Sequence, residues 1–245
     1  MEMKLSVVGC SPAWPNPGGA QSGYLVESQG RRVLLDCGAG VLAKLRERED
    51  ADWPRVDAIC LTHWHLDHWG DIVPWVWALW FWPAADHPRP ELWIPPGGYQ
   101  LLSEIGERLG TPDMFTKAFH IKEYEDGEPF ETAGFRVTPR HVLHYELLAF
   151  GFRVSCNGKT LAYSGDSGPS DELAELARDA DLFLCEATLL EPNPEGGARG
   201  HLAADEANAA FQASGANRLL LTHRPKERPL GPEYEQVHDG FETGV

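Results

Sequence analysis

The sequence contains no apolar run long enough to cross a bilayer. The densest run, from Ile72 to Trp82, is shorter than a spanning helix and is interrupted by Pro74, so we interpret it as a buried or interface helix. Met1 to Lys4 lead directly into a strand pattern, without the apolar stretch of a secretory signal. We therefore expect a cytoplasmic protein with no membrane anchor.

Cysteine is scarce, and its pattern is not that of a disulfide framework or a cysteine metal site. The five cysteines are an odd number, and none belongs to a C-x-x-C pair. Most lie in or beside apolar strand patterns, so we expect small core residues in a reducing compartment. They are Cys10, Cys37, Cys60, Cys156 and Cys185.

Basic residues are also few. Lys and Arg total 21 against 37 Asp and Glu, which gives a formal net charge of −16. A protein that grips a polyanion needs a basic surface to displace counterions from the phosphates, and no run of Lys or Arg stands out here. Nucleic acid is therefore a disfavoured partner, and a homodimer is possible through the aromatic segment described below.

The remaining composition is that of an ordinary soluble domain, and the order of its elements predicts a layered α/β fold. We expect one domain over residues 1–245, with helices outside and sheets inside. The predicted strands are Leu5–Val8, Tyr24–Val26, Arg32–Leu35, Val56–Leu61, Leu92–Ile94, Phe135–Val142, Phe150–Val154, Thr160–Tyr163, Leu182–Leu184 and Arg218–Thr222. The predicted helices are Val41–Glu49, Ile72–Trp82, Tyr99–Leu109, Ser170–Arg178 and Ala203–Ala213. Residues 224–245 are polar and start with a Pro-rich stretch, so we expect a surface tail.

The chemistry concentrates where the apolar strand ending at Leu61 gives way to polar residues. Three histidines and an aspartate follow within six positions: His63, His65, Asp67 and His68. In extended backbone, His63 and His65 project to one side and can hold one ion, while Asp67 and His68 lie past a turn and can reach a second. Such a cluster is costly at a strand end without a ligand, which favours a metal site over a solvated loop.

Four more polar residues each close an apolar strand: His144, Asp166, Glu186 and His223. Taken singly, a histidine at a strand end is more often unremarkable, but four such endings beside the cluster favour one shared site. Asp166 lies between Gly165 and Gly168, where the backbone can turn and bring one carboxylate close to two cations.

At these motifs the chain resembles the metallo-β-lactamase superfamily, and within it the branch around ribonuclease Z and its short bacterial relatives. The resemblance spans nearly the whole chain and implies the αββα sandwich, with two mixed β-sheets flanked by helices. The motifs that carry it are the His63 to His68 cluster, His144 before Phe150-Gly151-Phe152-Arg153, Tyr163-Ser164-Gly165-Asp166-Ser167-Gly168, Glu186-Ala187-Thr188, Gly200-His201-Leu202 with Glu206-Ala207, and Leu221-Thr222-His223.

The resemblance also implies the site. One divalent ion would be held by His63, His65, His144 and Asp166, and a second by Asp67, His68, Asp166 and His223. It implies His201 as the group that steadies the scissile phosphate and protonates the leaving oxygen. Asp67 would orient the nucleophilic water, and Glu186 either orients a histidine or simply closes its strand. Zinc is the expected metal, with manganese or iron as alternatives.

The chain departs from the branch in three places. Only 21 residues, 145–165, separate His144 from Asp166, so the tRNA-gripping arm of ribonuclease Z is absent. Ala203 stands where relatives usually have Thr. The stretch from His144 to Phe150 is one residue longer than in relatives, which leaves His141 as the fallback ligand.

Short arm-less relatives in this branch include phosphodiesterases of small molecules such as cyclic nucleotides. A small phosphodiester is therefore the expected substrate. The alternatives are tRNA 3′-end endoribonuclease activity of the ribonuclease Z type, lactone or ester hydrolysis, and a non-catalytic metal-binding role. The aromatic segment from Trp75 to Trp82 is expected to place one face in the core and to expose another, at a subunit contact or at the pocket mouth.

Overall fold

A computed structural model describes residues 3–48, 53–81, 86–192 and 199–245. Its strands are β1 (Lys4–Gly9), β2 (Gly23–Ser28), β3 (Arg31–Leu35), β4 (Ala58–Cys60), β5 (Glu91–Ile94), β6 (His120–Glu123), β7 (Phe130–Thr132), β8 (Phe135–His144), β9 (Leu147–Cys156), β10 (Lys159–Tyr163), β11 (Leu182–Glu186), β12 (Leu219–Thr222) and β13 (Glu242–Gly244). Its helices are α1 (Val41–Arg48), α2 (Leu66–Trp69), α3 (Ile72–Phe81), α4 (Gly98–Arg108), α5 (Met114–Ala118), α6 (Asp171–Leu176) and α7 (Ala204–Ser214).

The strands that the structure describes form two mixed sheets. One has seven strands in the order β13-β1-β2-β3-β4-β5-β6, and the other has six in the order β12-β11-β10-β9-β8-β7. Strands β3, β4, β5 and β6 run parallel to one another, as do β10, β11 and β12, whereas β8 and β9 form a long antiparallel hairpin. Helices cover the outer faces, and the predicted αββα sandwich is confirmed.

The core between the sheets is built from large buried side chains of both. Tyr24 on β2 and Tyr163 on β10 lie with ring centroids 4.8 Å apart, and Phe150 and Phe152 on β9 belong to the same cluster. Burying an aromatic or aliphatic side chain of this size contributes roughly 1.5–3 kcal/mol each. This packing holds the two sheets in register, so the ends of strands from both sheets meet at a common edge.

Local sequence explains why the polar residues collect there. Parallel strands end at the same edge of a sheet, and β3, β4, β10, β11 and β12 are each followed or closed by a polar residue. In β8 the buried and exposed positions largely alternate, so one face of the hairpin is packed while the other is more exposed. The sandwich therefore positions residues from distant parts of the chain at one edge.

Several short elements escaped the sequence analysis. Helices α2 and α5 span four and five residues, too short for a helical period to be recognised. Strand β6 (His-Ile-Lys-Glu) lies at a sheet edge with mostly exposed residues, so it lacks an apolar signature. Strand β4 is shorter than predicted, and the predicted helix ends at Glu49 and Trp82 lie outside the described residues.

Most residues of the expected surface tail, 224–245, are exposed or half-buried, but its end belongs to the first sheet. Strand β13 pairs antiparallel with β1, and Val237 and Val245 are buried in the core between the sheets. Arg224 is only 5% exposed. The segment is mostly polar, so the sequence pattern gave no sign that a few of its apolar residues pack into the core at the edge of the first sheet.

Helix α3 has the two faces that were expected. Trp75 is buried and meets Trp53 edge-on, with ring centroids 5.6 Å apart, while Phe81 is 73% exposed. Within the part of the chain that the structure describes, no helix combines the length and apolar character that a bilayer crossing needs. The five cysteines are all free thiols, and every one except Cys156 is buried.

Candidate metal centre

The segment after β4 contributes four residues to the site, His63, His65, Asp67 and His68. His63 and His65 lie in non-helical backbone, and α2 begins directly after His65, whose φ and ψ are −71° and 140°. This single helical turn carries Asp67 and His68 back toward the end of β4. The change from extended chain to helix therefore turns four neighbouring side chains toward two different points.

The structure brings together every residue that was predicted as a metal ligand. Two sets of four residues each place one donor atom per residue within 4.8 Å of one another. The two sets share Asp166, as expected. They are His63, His65, His144 and Asp166, and Asp67, His68, Asp166 and His223.

The fallback ligand His141 lies elsewhere. It is exposed on β8, with its ring 6.0 Å from that of Phe150, and its backbone N–H donates to Asp126. His144, by contrast, is buried, and its Nε2 lies 3.0 Å from Nδ1 of His65. The structure therefore favours His144 over His141.

The donor atoms fit divalent cations. The Nε2 atoms of His63 and His68 and Oδ1 of Asp166 are buried without a hydrogen-bond partner. Leaving such atoms unsatisfied costs about 1–3 kcal/mol each, which coordination would offset. Nitrogen and carboxylate donors in sets of four match the preferences of zinc.

The carboxylates carry the charge state that metal binding needs. Burial opposes ionisation of Asp67, but hydrogen bonds from His223 and His68 hold its pKa below the ordinary value. Burial likewise opposes ionisation of Asp166, but the neighbouring His223 and His68 lower its pKa well below the ordinary range. Both groups are therefore anionic at neutral pH, as ligands must be.

Three of the ligand histidines, His63, His144 and His223, are each oriented by a contact to Nδ1. Nδ1 of His144 lies 2.6 Å from the Gly200 carbonyl oxygen, and Nδ1 of His223 lies 2.7 Å from Oγ1 of Thr188. His63 approaches Oγ1 of Thr62 at 3.0 Å in the same way. Such contacts fix the tautomer and leave Nε2 for the metal.

Asp36 is a functional residue that the sequence analysis missed. Its buried carboxylate lies 2.8 Å from Nδ1 of His68 and accepts hydrogen bonds from the Thr62 backbone N–H and the Tyr163 hydroxyl, each at 2.8 Å. The signal was present: Asp36 closes the buried strand β3 and precedes Gly38, as the other polar residues close theirs. Its φ of 59°, rare for a residue other than glycine, marks the sharp turn there.

Glu186 and His201 form a hydrogen-bonded pair beside the shared carboxylate. Nδ1 of His201 lies 2.9 Å from Oε1 of Glu186 and 3.9 Å from Oδ2 of Asp166. Burial opposes protonation of His201, but the Glu186 hydrogen bond and the negative charges of Glu186 and Asp166 raise its pKa to about 9. Glu186 also accepts from the backbone N–H groups of Ser167 and Thr188. It therefore orients a histidine as well as closing its strand.

The fold and this geometry agree with a comparison to known protein families. The model described as "Beta-lactamase superfamily domain" matches residues 31–224. The chain belongs to the β-lactamase superfamily. The match covers the β4–α2 cluster, His144, Asp166, Glu186, His201 and His223, so the whole candidate centre lies inside it.

Related sequences place the chain among metallo-hydrolases. A Mycobacterium leprae protein, "Uncharacterized protein ML1173", is 34% identical over 230 residues, which cover 91% of this chain and 78% of that protein. "Probable metallo-hydrolase YhfI" of Bacillus subtilis is 31% identical over 223 residues, 91% of this chain and 87% of YhfI. "Ribonuclease Z" of Salinibacter ruber is 27% identical over 284 residues, 93% of this chain and 87% of that enzyme. The predicted resemblance to the ribonuclease Z branch is confirmed.

Solved structures share the fold over the whole chain. The crystal structure of YhfI from Bacillus subtilis superposes with a TM-score of 0.83 at 25% identity and covers 100% of both chains. A protein described as a "New Diphosphatase from the PhnP Family" superposes with a TM-score of 0.74 at 21% identity, over 100% of this chain and 98% of that one. At 21% identity, the similarity to the diphosphatase shows a shared fold and nothing about activity.

Proposed function

We propose that the chain is a hydrolase with two divalent metal ions that cleaves a small phosphodiester such as a cyclic nucleotide. The observation that carries the proposal is the Glu186–His201 pair, which lies beside the carboxylate shared by two donor sets. A protonated histidine at this place can donate to an alkoxide leaving group.

The residues divide the reaction between them. Bound divalent cations would supply Lewis-acid charge for the phosphate oxygens and lower the pKa of water toward neutrality. Asp67, with Oδ2 at 3.1 Å from Nε2 of His223, orients the attacking water and accepts its proton. As the water oxygen bonds to phosphorus, the bond to the leaving oxygen breaks and that oxygen takes a proton from Nε2 of His201. Glu186 holds Nδ1 of His201 throughout, which leaves Nε2 free to donate.

The size of the substrate follows from the β8–β9 hairpin. Strand β8 ends at His144 and β9 begins at Leu147, so a turn of only two residues, Tyr145 and Glu146, joins them. The rest of the segment up to Asp166 is taken up by β9, a tight turn and β10. This leaves no residues for an arm that could hold tRNA, and the net charge of −16 disfavours a polyanion.

Ribonuclease activity is the second candidate because a relative at 27% identity carries the name ribonuclease Z. Lactone hydrolysis can use the same fold and metals, and its leaving alkoxide also takes a proton. These two candidates therefore differ from the phosphodiesterase in their substrate, a long RNA in one case and a carbonyl compound in the other. We propose zinc as the metal, with manganese or iron as alternatives, because His and Asp donors accept all three.

The test measures turnover by metal-reconstituted protein on bis(p-nitrophenyl) phosphate, cyclic AMP, a tRNA precursor and a simple lactone. The variants are Asp67→Ala and His201→Ala, and His141→Ala is the control because His141 is an exposed histidine of the same strand as His144, outside both donor sets. We expect Asp67→Ala to lower kcat on both phosphodiesters. His201→Ala should lower kcat about 10²–10⁴-fold on cyclic AMP, but less on the p-nitrophenyl ester, whose leaving group needs little protonation.

Each other outcome contradicts a specific part of the proposal. Equal losses on the two phosphodiesters would remove the acid role of His201. Cleavage of the tRNA precursor without small-molecule turnover would favour the ribonuclease. Lactone turnover alone, or stoichiometric metal without any turnover, would contradict the phosphodiesterase proposal.

A further inference from the structure

Exposed apolar side chains lie directly beside the ligand residues. Leu66, 67% exposed, stands between His65 and Asp67 on the first turn of α2. Tyr145, 45% exposed, follows His144, and Leu147, 43% exposed, pairs with His144 across the β8–β9 hairpin. Leaving three large apolar side chains in water is unfavourable, and apolar groups at the rim of a site are typical of ligand contact.

The Tyr145 ring packs against residues of the candidate site. Its ring centroid lies 5.0 Å from that of His144 and 5.8 Å from that of His201. A Cβ atom added to Gly200 would lie 2.1 Å from Cε2 of Tyr145, so the ring rests directly on the Gly200 backbone. A ligand that touches this ring is therefore also within reach of the proposed acid.

The backbone of Tyr145 is strained to achieve this position. Its φ is 52°, in the left-handed region that favours glycine, and its N–H donates to the Arg199 carbonyl oxygen at 3.2 Å. Such a conformation costs about 1–3 kcal/mol in a bulky residue and persists where the surroundings impose it. The hairpin turn and the Gly200 loop together thus aim an aromatic ring at the metal centre.

We propose that Tyr145, with Leu66 and Leu147, binds the aromatic part of the substrate. Resting on the proposed function, this inference narrows the substrate class to phosphodiesters with a nucleobase or another aryl group, which stacks on the free side of the Tyr145 ring. Flat aromatic partners gain offset or edge contacts with such a ring beyond the burial of area. The phosphate would then lie at the two donor sets, within reach of Nε2 of His201.

The occupant is a small ligand rather than a second copy of the chain. The three side chains flank His65, Asp67 and His144, so a partner protein that covers them would lie over the donor sets as well. A small aromatic ligand covers the same side chains while its phosphate fills the centre.

The experiment compares bis(p-nitrophenyl) phosphate with methyl p-nitrophenyl phosphate. Both release p-nitrophenol, so only the retained group differs, aryl in one and methyl in the other. We compare kcat/KM for bis(p-nitrophenyl) phosphate, divided by kcat/KM for methyl p-nitrophenyl phosphate. Tyr145→Ala should lower this ratio about 10-fold, mainly by raising KM for the bis-aryl substrate. Tyr145→Phe should keep the ratio because the stacking ring remains. Tyr99→Ala is the matched control: Tyr99 is 55% exposed and lines a separate groove with Pro112 and Ile121.

An unchanged ratio in Tyr145→Ala, with turnover and metal content intact, would overturn the inference and leave the phosphodiesterase standing. If neither ester is cleaved, the proposed function fails, and calorimetry of the metal-loaded protein with phenylphosphonate and methylphosphonate then decides the aryl contact by itself. The aryl contact is supported if the native protein binds phenylphosphonate more tightly than methylphosphonate and Tyr145→Ala removes that preference. Equal affinity of the native protein for the two phosphonates overturns it. A dimer that dissociates in Tyr145→Ala would assign the rim to a second copy and likewise overturn it.

Discussion

Oδ2 of Asp36 lies 2.8 Å from Nδ1 of His68, and both side chains are fully buried. Asp36 also accepts from Thr62 and Tyr163, so the residue that directly follows β3 orients His68 on α2, 32 positions away. The carboxylate thereby determines which nitrogen of His68 faces the metal. The loop after β3 in the first sheet thus positions His68 of the candidate metal centre.

Asp36→Asn should weaken the metal site that contains His68. The amide keeps the size of the carboxylate but loses its charge and one acceptor position, so we expect a 10–100-fold lower affinity for one of two ions. Competition with a chromophoric chelator measures both affinities. Asp57→Asn, which changes an aspartate that accepts from the Arg32 backbone N–H, serves as the control and should leave both unchanged. If both metal affinities of Asp36→Asn equal those of the native protein, Asp36 does not orient His68 for metal binding.

Metal removal should lower the thermal stability of the protein. The donor sets hold buried atoms without hydrogen-bond partners, which a cation satisfies in the folded state alone. Free zinc at about 100 times its Kd would add about 2.7 kcal/mol per site to the free energy of unfolding. Differential scanning calorimetry with and without a chelator, together with metal analysis, checks this. We expect two ions per chain, and an unchanged Tm after complete removal would argue against the site.

Ala203→Ser should stabilise helix α7. Ala203 is the N-cap of α7, with φ −87° and ψ 162°, and Glu206 already accepts its backbone N–H at 2.9 Å. Alanine has no oxygen to accept the N–H of Glu206, and a serine hydroxyl would supply one, for about 1 kcal/mol. Urea denaturation measures the difference, with Ala203→Gly as the comparison that adds no hydroxyl. A loss of stability would mean that the buried position has no room for one more atom.

Glu91→Gln should make the free energy of unfolding depend less on pH in the acidic range. Burial opposes ionisation of Glu91, but hydrogen bonds from Lys122, Thr132 and Trp93 outweigh it and lower its pKa. A lowered folded pKa gives stability that is present above the unfolded value, near 4.5, and is lost as the pH falls through the folded value. The variant should therefore be less stable than the native protein at pH 7, by roughly 1 kcal/mol, with the difference vanishing in acid. Denaturation curves from pH 7 down to about pH 3 test this sign, and a constant difference would contradict it.

The centre could be found from sequence because its densest part is local. His63, His65, Asp67 and His68 occupy six positions, and the change from an apolar strand to polar residues marks the point where β4 ends. The remaining ligands were found because each closes an apolar strand, and strands that run parallel end at one edge. The pairing of β13 with β1 was missed because pairing at the edge of a sheet requires few apolar residues and leaves a weak pattern.

The sequence by itself determined the layered α/β fold, the candidate ligand residues and the short segment between His144 and Asp166, since these depend on local patterns and on chain length between motifs. Only the tertiary structure decided that Asp36 supports His68, that Glu186 meets His201, and that Tyr145 rests on Gly200 beside the metal centre. These pairs join residues that are far apart in the chain: Glu186 and His201 are 15 positions apart, and Asp36 and His68 are 32. The physical reason is that sheet order and loop packing set such contacts, and no local period records them.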